Sequence, residues 1–381
     1  MPRTTGTYTT TDSGGELVKA FVPHPLPPTM PPLDPACYMA NAAAEAALGR
    51  LSAMSGLVAS AEWLIYSSIR KEALLTSQME GTQATLTDLL DQESGIDVAS
   101  TTDVSDVTNY LQAFAYVRDQ LKHDWGLPIS TRLLCEAHSI LLNSARGEQK
   151  LPGEVRRSQN WIAGTRPGNA LYVPPPHMEV GRLLGEMERY IHEPTTDLPP
   201  LVRIALIHAQ FETIHPFLDG NGRIGRLLIA ALLEDWKLLP EPLLYVSGEL
   251  KKHQDEYYRL LSAIRADGDW ESWIRFFLDC TTEAAENAQR NIIDIASLIA
   301  ADRRKVMAAK DGTVQAIRLF EMLPTMPRFT ITFAAERLGV TFPTASAAVK
   351  VLQSVDVLVG TGNQKRNQQF SYKQYTELLQ R

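Results

Sequence analysis

Cysteine is scarce in this chain of 381 residues. The three cysteines, Cys37, Cys135 and Cys280, lie far apart and form no C-x-x-C pair. A disulfide framework or a structural zinc site needs clustered cysteines at short spacings. We therefore exclude both, and we expect a protein of a reducing compartment, the cytoplasm.

Long apolar segments are also missing. The longest uninterrupted aliphatic run, residues 227–233, is far shorter than the roughly 20 apolar residues that a membrane-spanning helix needs. No early apolar segment has the character of a secretory signal. We expect a soluble protein without membrane contact.

Positive charge is in deficit over the chain as a whole. Lys and Arg number 37 against 44 Asp and Glu, which gives a net charge of −7. A polycationic nucleic-acid binder is therefore excluded, although a local basic domain is not.

What the sequence does contain is a dense group of anion-binding residue types at residues 215–226. The segment reads His-Pro-Phe-Leu-Asp-Gly-Asn-Gly-Arg-Ile-Gly-Arg and lies between two strongly helical stretches. Glycines let a backbone approach an anion closely, and N–H groups at the start of a helix point toward negative charge. Arg223 and Arg226 add bidentate contacts that are always charged. The segment therefore predicts a loop that binds a phosphate chain.

Two further side chains of this segment can act on a bound phosphate. His215, at the end of the preceding helix, titrates near neutral pH and can serve as a general base on a hydroxyl. Asp219 offers a carboxylate to Mg²⁺, which prefers one or two carboxylates together with phosphate oxygens. A competing interpretation is a transition-metal site, because His208, Glu212 and His215 share one helical face.

The segment resembles the signature of the Fic (filamentation-induced) family, His-Pro-Phe-x-Asp/Glu-Gly-Asn-Gly-Arg-x-x-Arg, at every specified position. The resemblance implies an all-α core and the transfer of AMP from ATP to a Ser, Thr or Tyr hydroxyl of a protein, with diphosphate released. His215 would take the proton of the attacking hydroxyl, and Asp219 would hold Mg²⁺ against the α- and β-phosphates. The implied contacts to ATP and its phosphates are Gly220, Asn221, Gly222, Arg223, Ile224, Gly225 and Arg226. Gly222 disfavours the kinase-like branch of the family, in which lysine is typical at this position.

A second match lies upstream at residues 76–81, Thr-Ser-Gln-Met-Glu-Gly. It resembles the family's inhibitory motif, in the arrangement where an inhibitory helix precedes the catalytic core, with Thr76, Glu80 and Gly81 at the fixed positions. The resemblance implies that Glu80 pairs with Arg226, which then cannot hold the γ-phosphate. An ordinary glutamate at a helix end is the alternative.

Residues 160–162 and 170–173 form short extended pieces around a glycine-containing turn, which predicts a hairpin. It resembles the family's flap, which holds the acceptor segment of the target as an added strand. The candidate docking residues are Trp161, Ile162, Leu171 and Tyr172, and packing of the hairpin itself is the alternative for Trp161 and Tyr172.

Tyr257 and Tyr258 resemble the stretch that lines the family's adenine pocket, and a place in the helical core is the alternative. Tyr258 is the candidate nucleotide contact. Arg265 stands where relatives often have Asn, so recognition of the base departs from the family pattern here.

Helix, helix, glycine turn, helix and a strand pair follow one another in residues 311–381, an order typical of a winged helix-turn-helix. Eight Lys and Arg stand against five Asp and Glu here, a net charge of +3. Lys365 and Arg366, at the tip of the wing, could contact DNA phosphates, and dimerisation or docking is the alternative. A nucleotide-sensing transcription regulator that binds DNA is therefore the competing function.

We thus expect a mainly α-helical protein, with a small β-hairpin flap, in five parts. They are a Pro-rich extended arm without helix or central strand (1–33), N-terminal helices with the inhibitory helix (34–105), the catalytic core (106–285), a helical linker (286–310) and the winged helix (311–381).

Overall fold

The computed structural model describes residues 3–29, 33–56, 62–98, 101–143, 147–194, 197–361 and 368–381, and the fold is mainly helical. The strands are β1 Gly6–Ser13, β2 Glu16–Pro23, β3 Arg328–Thr330, β4 Val359–Thr361 and β5 Gln369–Ser371. The helices are α1 Pro35–Ser55, α2 Glu62–Met79, α3 Leu86–Glu93, α4 Thr101–Lys122, α5 Thr131–Leu141, α6 His177–His192, α7 Pro200–Ile214, α8 Asn221–Asp235, α9 Ser247–Lys252, α10 Gln254–Asp267, α11 Trp270–Met307, α12 Val314–Met322, α13 Ile331–Leu338, α14 Phe342–Ser354 and α15 Lys373–Gln380.

Two central helices, α7 and α8, position the segment at 215–226. Both are apolar on nearly all sides, which is typical of helices enclosed by other elements. One apolar cluster joins them to α1, α2, α4, α5, α6, α10 and most of α11. The loop between α7 and α8 is therefore anchored at both ends in this apolar core.

The N-terminal arm contains a β-hairpin, which the prediction of an extended arm without helix or central strand did not include. β1 pairs antiparallel with β2, from Gly6 opposite Pro23 to Ser13 opposite Glu16. Gly14 and Gly15 both have positive φ, as a tight turn between such strands requires. The prolines that argued against strands lie at residue 23 and beyond, whereas residues 6–22 contain none and are rich in Thr and Val.

The predicted flap hairpin is shorter than expected. The two extended pieces meet in a single antiparallel bridge, between Ile162 and Tyr172. Pro167 begins a 3₁₀ turn between them, and three prolines follow at 174–176, so few backbone N–H groups are free for a longer ladder. The Phe21 N–H of β2 donates to the Val173 carbonyl at 3.0 Å, which docks the N-terminal hairpin on the flap.

The C-terminal elements have an apolar cluster of their own. The antiparallel sheet order is β3-β5-β4, and α12 to α15 pack around it. α11 is continuous from Trp270 to Met307, so residues 286–307 of the expected linker lie inside one helix. The part boundaries and the winged-helix assignment stay predictions. Lys365 and Arg366 lie outside the described residues.

None of the helices in the described ranges combines the length and the apolar character that crossing a membrane requires.

Candidate active site

His215 ends α7 in the left-handed conformation, with φ of 49°, and its N–H donates to the Phe211 carbonyl at 2.9 Å. Arg156 holds this bend from outside the helix. Its Nε donates to the His215 carbonyl at 2.9 Å, and its backbone N–H donates to the Pro216 carbonyl at the same distance. Its Nη2 donates to the Pro175 carbonyl at 2.6 Å, which ties the end of the flap to the same guanidinium.

His215 is half-buried at the cavity, and its Nδ1 is buried without a hydrogen-bond partner among the described residues. Burial, together with the positive charge of Arg156, lowers the pKa of His215 to about 4. The imidazole is therefore neutral at physiological pH. A neutral imidazole can accept a proton, as a general base must.

Asn221 and Asn160 fix the loop that follows His215. The Asn221 side chain accepts from the Phe217 N–H and donates to the Phe217 carbonyl, both at 2.8 Å. Asn160 Nδ2 donates to the same carbonyl at 3.0 Å. The Asn221 side chain is thus engaged by the loop itself, and its backbone N–H is the group left for the predicted contact to phosphate.

His138 of α5 supports the other end of the loop, and sequence reasoning missed it. Its ring stacks on Phe217 with centroids 3.8 Å apart. Nδ1 accepts from the Gly153 N–H at 3.0 Å, which leaves the proton on Nε2 to donate to the Asp219 carbonyl at 3.0 Å. Burial lowers the pKa of His138 to about 4, which keeps this neutral tautomer.

Asp219 is the predicted ligand of Mg²⁺, and its surroundings fit that ion. Its side chain is half exposed, and Oδ1 accepts from the Gly220 N–H at 2.6 Å. Arg223 Nη2 lies 3.7 Å from the same oxygen, and the buried Arg223 Nε has no partner among the described residues. One accessible carboxylate beside an incompletely bonded guanidinium suits a magnesium ion and the phosphates that it accompanies.

Arg226 is held by the helix that carries the upstream motif. Its Nη2 lies 2.5 Å from Glu80 Oε1, its Nε donates to the Thr76 hydroxyl at 2.6 Å, and Nη2 also donates to the Thr76 carbonyl at 3.0 Å. Burial alone would raise the pKa of Glu80, but the charge of Arg226 lowers it below its usual value. Both groups are therefore charged at neutral pH. Gly81, with φ of 94°, turns the chain directly after this contact.

A cavity of about 470 Å³ brings together most of the predicted site residues. His215 lies at its wall with Glu212, and Tyr257, Leu261, Ser262 and Arg265 complete the α10 side. The predicted residues that line it are Glu80, Trp161, Ile162, Leu171, Tyr172, His215, Gly222, Arg226 and Tyr258. The catalytic, inhibitory, flap and nucleotide-contact candidates therefore share one space, although Glu80 and Tyr258 are 178 residues apart in the sequence.

Two glycines of the loop meet close neighbours, each for a different reason. A Cβ at Gly222 would lie 2.3 Å from Glu80 Oε1, so any larger residue here would displace the Glu80 carboxylate from its present position. A Cβ at Gly225 would lie 2.4 Å from Glu212 Oε1, on the side where α8 packs against α7. Ile224 is fully buried in the same apolar core. Any phosphate contact of Gly225 and Ile224 is therefore made by backbone atoms.

The flap residues differ in exposure. Leu171 is 87% exposed and Trp161 40%, and both border the cavity. Tyr172 is buried, its hydroxyl donates to the Thr213 carbonyl at 2.6 Å, and the Arg265 guanidinium lies 3.9 Å above its ring. Tyr172 thus packs the flap onto α7, while Leu171 and Trp161 are accessible to another molecule.

The adenine-pocket candidates divide in the same way. Tyr258 is 47% exposed at the cavity, whereas Tyr257 is buried with its hydroxyl 3.0 Å from His208 Nε2.

His208 Nδ1 lies 3.2 Å from the Gly225 carbonyl. Because both nitrogens of His208 have partners, the alternative transition-metal site on this face of α7 is not supported. Burial raises the pKa of Glu212 to about 7, so this carboxyl is partly protonated at neutral pH.

The fold is helical and is built around the α7–loop–α8 unit, and His215 and the bound Arg226 face one cavity. Residues 128–233 match the Fic/DOC family, and residues 38–119 match the Fic/DOC family N-terminal region. The segment 215–226 lies inside the first match, and Glu80 lies inside the second.

Curated relatives and solved structures agree with these matches. The chain is 27% identical over 212 residues to the protein adenylyltransferase Fic of Drosophila yakuba, and 27% over 215 residues to that of Drosophila ananassae, in each case over 55% of this chain. The matched region spans 39% and 40% of those two proteins, so the chain covers about two fifths of their length.

A Fic family protein from Desulfovibrio desulfuricans G20 superposes with a TM-score of 0.57 at 21% identity, over 90% of this chain and 98% of that one. Fic-1 (residues 134–508) from C. elegans gives 0.52 at 19% identity, over 68% and 73%. The fold is that of the Fic proteins.

Proposed function

We propose that this protein is a protein adenylyltransferase, which transfers AMP from ATP to a Ser, Thr or Tyr hydroxyl of a target protein and of itself. The observation that carries the proposal is the shared cavity, in which neutral His215, Arg226 and the exposed flap residues Trp161 and Leu171 face the same space. The curated relatives named for this activity support it.

The reaction follows from what these residues can do. The acceptor oxygen attacks the α-phosphorus, its proton passes to the His215 ring, and the bond to the oxygen that bridges to the β-phosphate breaks, releasing diphosphate. Asp219 would hold Mg²⁺, which supplies positive charge to the phosphates when bound. Backbone N–H groups at the start of α8, with Arg223 and Arg226, would bind phosphate oxygens. Trp161 and Leu171 would contact the target segment.

The pair of Glu80 and Arg226 makes the resting enzyme slow in this proposal. Arg226 is almost completely buried and already donates to Glu80 and twice to Thr76. An arginine with these partners is not free to bind the γ-phosphate. ATP can then bind without the geometry that transfer requires.

The test is incubation of the wild type, Glu80→Gly, His215→Ala and Glu80→Gly/His215→Ala with Mg²⁺ and ATP labelled at the α-phosphate, followed by gel and mass spectrometry. We expect label on the chain or on a lysate protein, more in Glu80→Gly and none in Glu80→Gly/His215→Ala. Glu193→Gly is the matched control, because Glu193 also ends a helix and is exposed away from the cavity. ATP labelled at the γ-phosphate should give no label.

Absence of label from α-labelled ATP in Glu80→Gly would overturn the proposal. Specific, salt-dependent DNA binding in its place would favour the nucleotide-sensing regulator, with the C-terminal winged helix as its DNA-binding part.

A further inference from the structure

The inhibitory helix belongs to a helical hairpin. α2 runs down to Met79, the chain turns at Glu80 and Gly81, and α3 runs back. Glu93, at the end of α3, accepts from the Tyr66 hydroxyl at 2.6 Å and from Arg70 Nε at 2.9 Å, both on α2. The α2–α3 hairpin is therefore closed at both ends.

The turn of the hairpin is bound to the catalytic core. Besides the contacts of Thr76 and Glu80 with Arg226, Glu72 Oε2 accepts from the Ser247 N–H at 3.1 Å. Gln78 Oε1 accepts from Lys251 Nζ at 2.6 Å. One side of α2 is thus fixed to the catalytic core through α8 and α9.

The other side of the hairpin is bound to residues 311–381, which we call the C-terminal unit. Leu86 and Leu90 of α3 are part of the apolar cluster of that unit, and Trp63, Tyr66 and Leu74 of α2 pack against it. The hairpin therefore lies between the catalytic core and the C-terminal unit, and it contributes buried side chains to both.

An ion pair fixes this second contact. Arg328, the first residue of β3, donates from Nε and Nη2 to the two carboxylate oxygens of Asp91 at 2.5 and 2.9 Å. Both side chains are only 13% exposed. The Ser94 hydroxyl donates to the Arg328 carbonyl. A bidentate pair of this kind fixes orientation as well as distance.

We propose that the C-terminal unit controls the inhibitory contact, by holding α3 through the pair of Arg328 and Asp91 and thereby holding Glu80 on Arg226. The inference rests on the proposed function. α2 is 18 residues long, about 27 Å, and α3 is packed along it as the second half of the hairpin. Because packed helices move together, loss of the contact at α3 frees the whole hairpin and loosens its turn at the cavity. A partner that draws the C-terminal unit away from α3 activates the enzyme, and displacement of Glu80 by ATP weakens the contact at α3 in return.

The test compares Arg328→Ala and Asp91→Asn, each in the wild-type and the Glu80→Gly background. In the wild-type background we expect labelling from α-labelled ATP to rise at least about fivefold, the lower end of usual coupling between sites. Hydrogen exchange of the amides in residues 76–81 should rise with it. In the Glu80→Gly background neither substitution should add to labelling, because the residue through which they act is gone.

Arg303→Ala is the matched control, because Arg303 pairs with Glu321 at 2.5 Å, which joins α11 to α12 and not α3 to β3. It should change neither labelling nor exchange in residues 76–81. Asp91→Asn keeps the shape of the side chain, and thermal unfolding will show whether each variant is folded.

Two results would overturn the inference. One is unchanged exchange in residues 76–81 of a folded Asp91→Asn variant, a readout that does not depend on catalysis. The other is an equal rise in labelling in the Glu80→Gly background, which would mean that the effect bypasses Glu80. Absence of label in Glu80→Gly itself contradicts the proposed function instead, and the exchange measurement still decides the contact.

Discussion

Thr76→Val should activate the enzyme while leaving the Glu80 carboxylate in place. The Thr76 hydroxyl is fully buried and accepts from Arg226 Nε at 2.6 Å. Valine has nearly the same shape and lacks the acceptor. Arg226 would then keep the carboxylate of Glu80 and the carbonyl of residue 76, but its Nε would have no partner on α2.

The size of the effect follows from the charge of the donor. A hydrogen bond to a charged group contributes about 1.5–3 kcal/mol, and each 1.36 kcal/mol is a factor of ten in rate. If the whole bond belongs to the inhibited state, labelling rises about 10- to 150-fold. We expect the lower end, because the Thr76 carbonyl still accepts from Nη2 at 3.0 Å. The rate should remain below that of Glu80→Gly.

The assay is the initial rate of labelling from α-labelled ATP, together with thermal unfolding. Thr281→Val is the matched control, since Thr281 is equally buried in a helix and its hydroxyl donates within α11, to the Phe277 carbonyl at 2.8 Å. Both variants should unfold at a somewhat lower temperature, and only Thr76→Val should label faster. A destabilised Thr76→Val variant that labels at the wild-type rate would show that this hydroxyl stabilises the fold without restraining Arg226.

Three further predictions concern the loop and its supports. In the Glu80→Gly background, labelling should not depend on pH between about 6 and 8, because the His215 imidazole is neutral wherever the pH exceeds its lowered pKa. That pKa is about 4 with Glu80 present, and loss of the Glu80 charge lowers it further. A limb between pH 6 and 8 that persists in Glu212→Gln contradicts this, whereas one that disappears in Glu212→Gln belongs to Glu212. Arg156→Met should lower the free energy of unfolding by about 3 kcal/mol or more in chemical denaturation, and should slow labelling, because the carbonyls of His215, Ser158 and Pro175 lose a charged donor; wild-type stability would contradict this role. Gly225→Ala should lower the free energy of unfolding by about 1–3 kcal/mol, because the new methyl group crowds Glu212. Gly181→Ala is the control: it lies on the exposed side of α6 with open space around it, and should be neutral or stabilising. Equal effects of the two substitutions would contradict the close packing of α7 on α8.

Much of the site could be predicted from sequence because its parts are local. His215, Asp219, Gly222 and Arg226 lie within twelve residues, and the turn between two helices places them in one region whatever surrounds it. The contact of Glu80 with Arg226 could be predicted from the motif at 76–81, and its inhibitory effect stays a proposal.

The supporting residues could not be predicted, because their partners carry no sequence signature. Arg156 donates to backbone carbonyls, and His138 lies between the Gly153 N–H and the Asp219 carbonyl. Every residue has backbone groups of this kind, so the sequence contains no pair of complementary side chains from which these contacts could be predicted. The pair of Arg328 and Asp91 joins positions 237 residues apart, and only the tertiary fold brings them together. The N-terminal hairpin was missed for another reason, because the prolines that follow it outweighed the β-branched residues within it.

The unbroken course of α11 has a consequence for how chain length can vary. The helix is 38 residues long, its earlier part is buried against the core up to Ile292, and its later part, from Ile295, is buried in the C-terminal cluster. One residue inserted between these two positions would rotate everything beyond it by about 100° and advance it by about 1.5 Å. Arg328 would then face away from Asp91. A whole helical turn would restore the rotation but move Arg328 by about 5.4 Å along the helix axis, which also breaks the pair. Related chains that keep this contact should therefore keep the number of residues between these two positions.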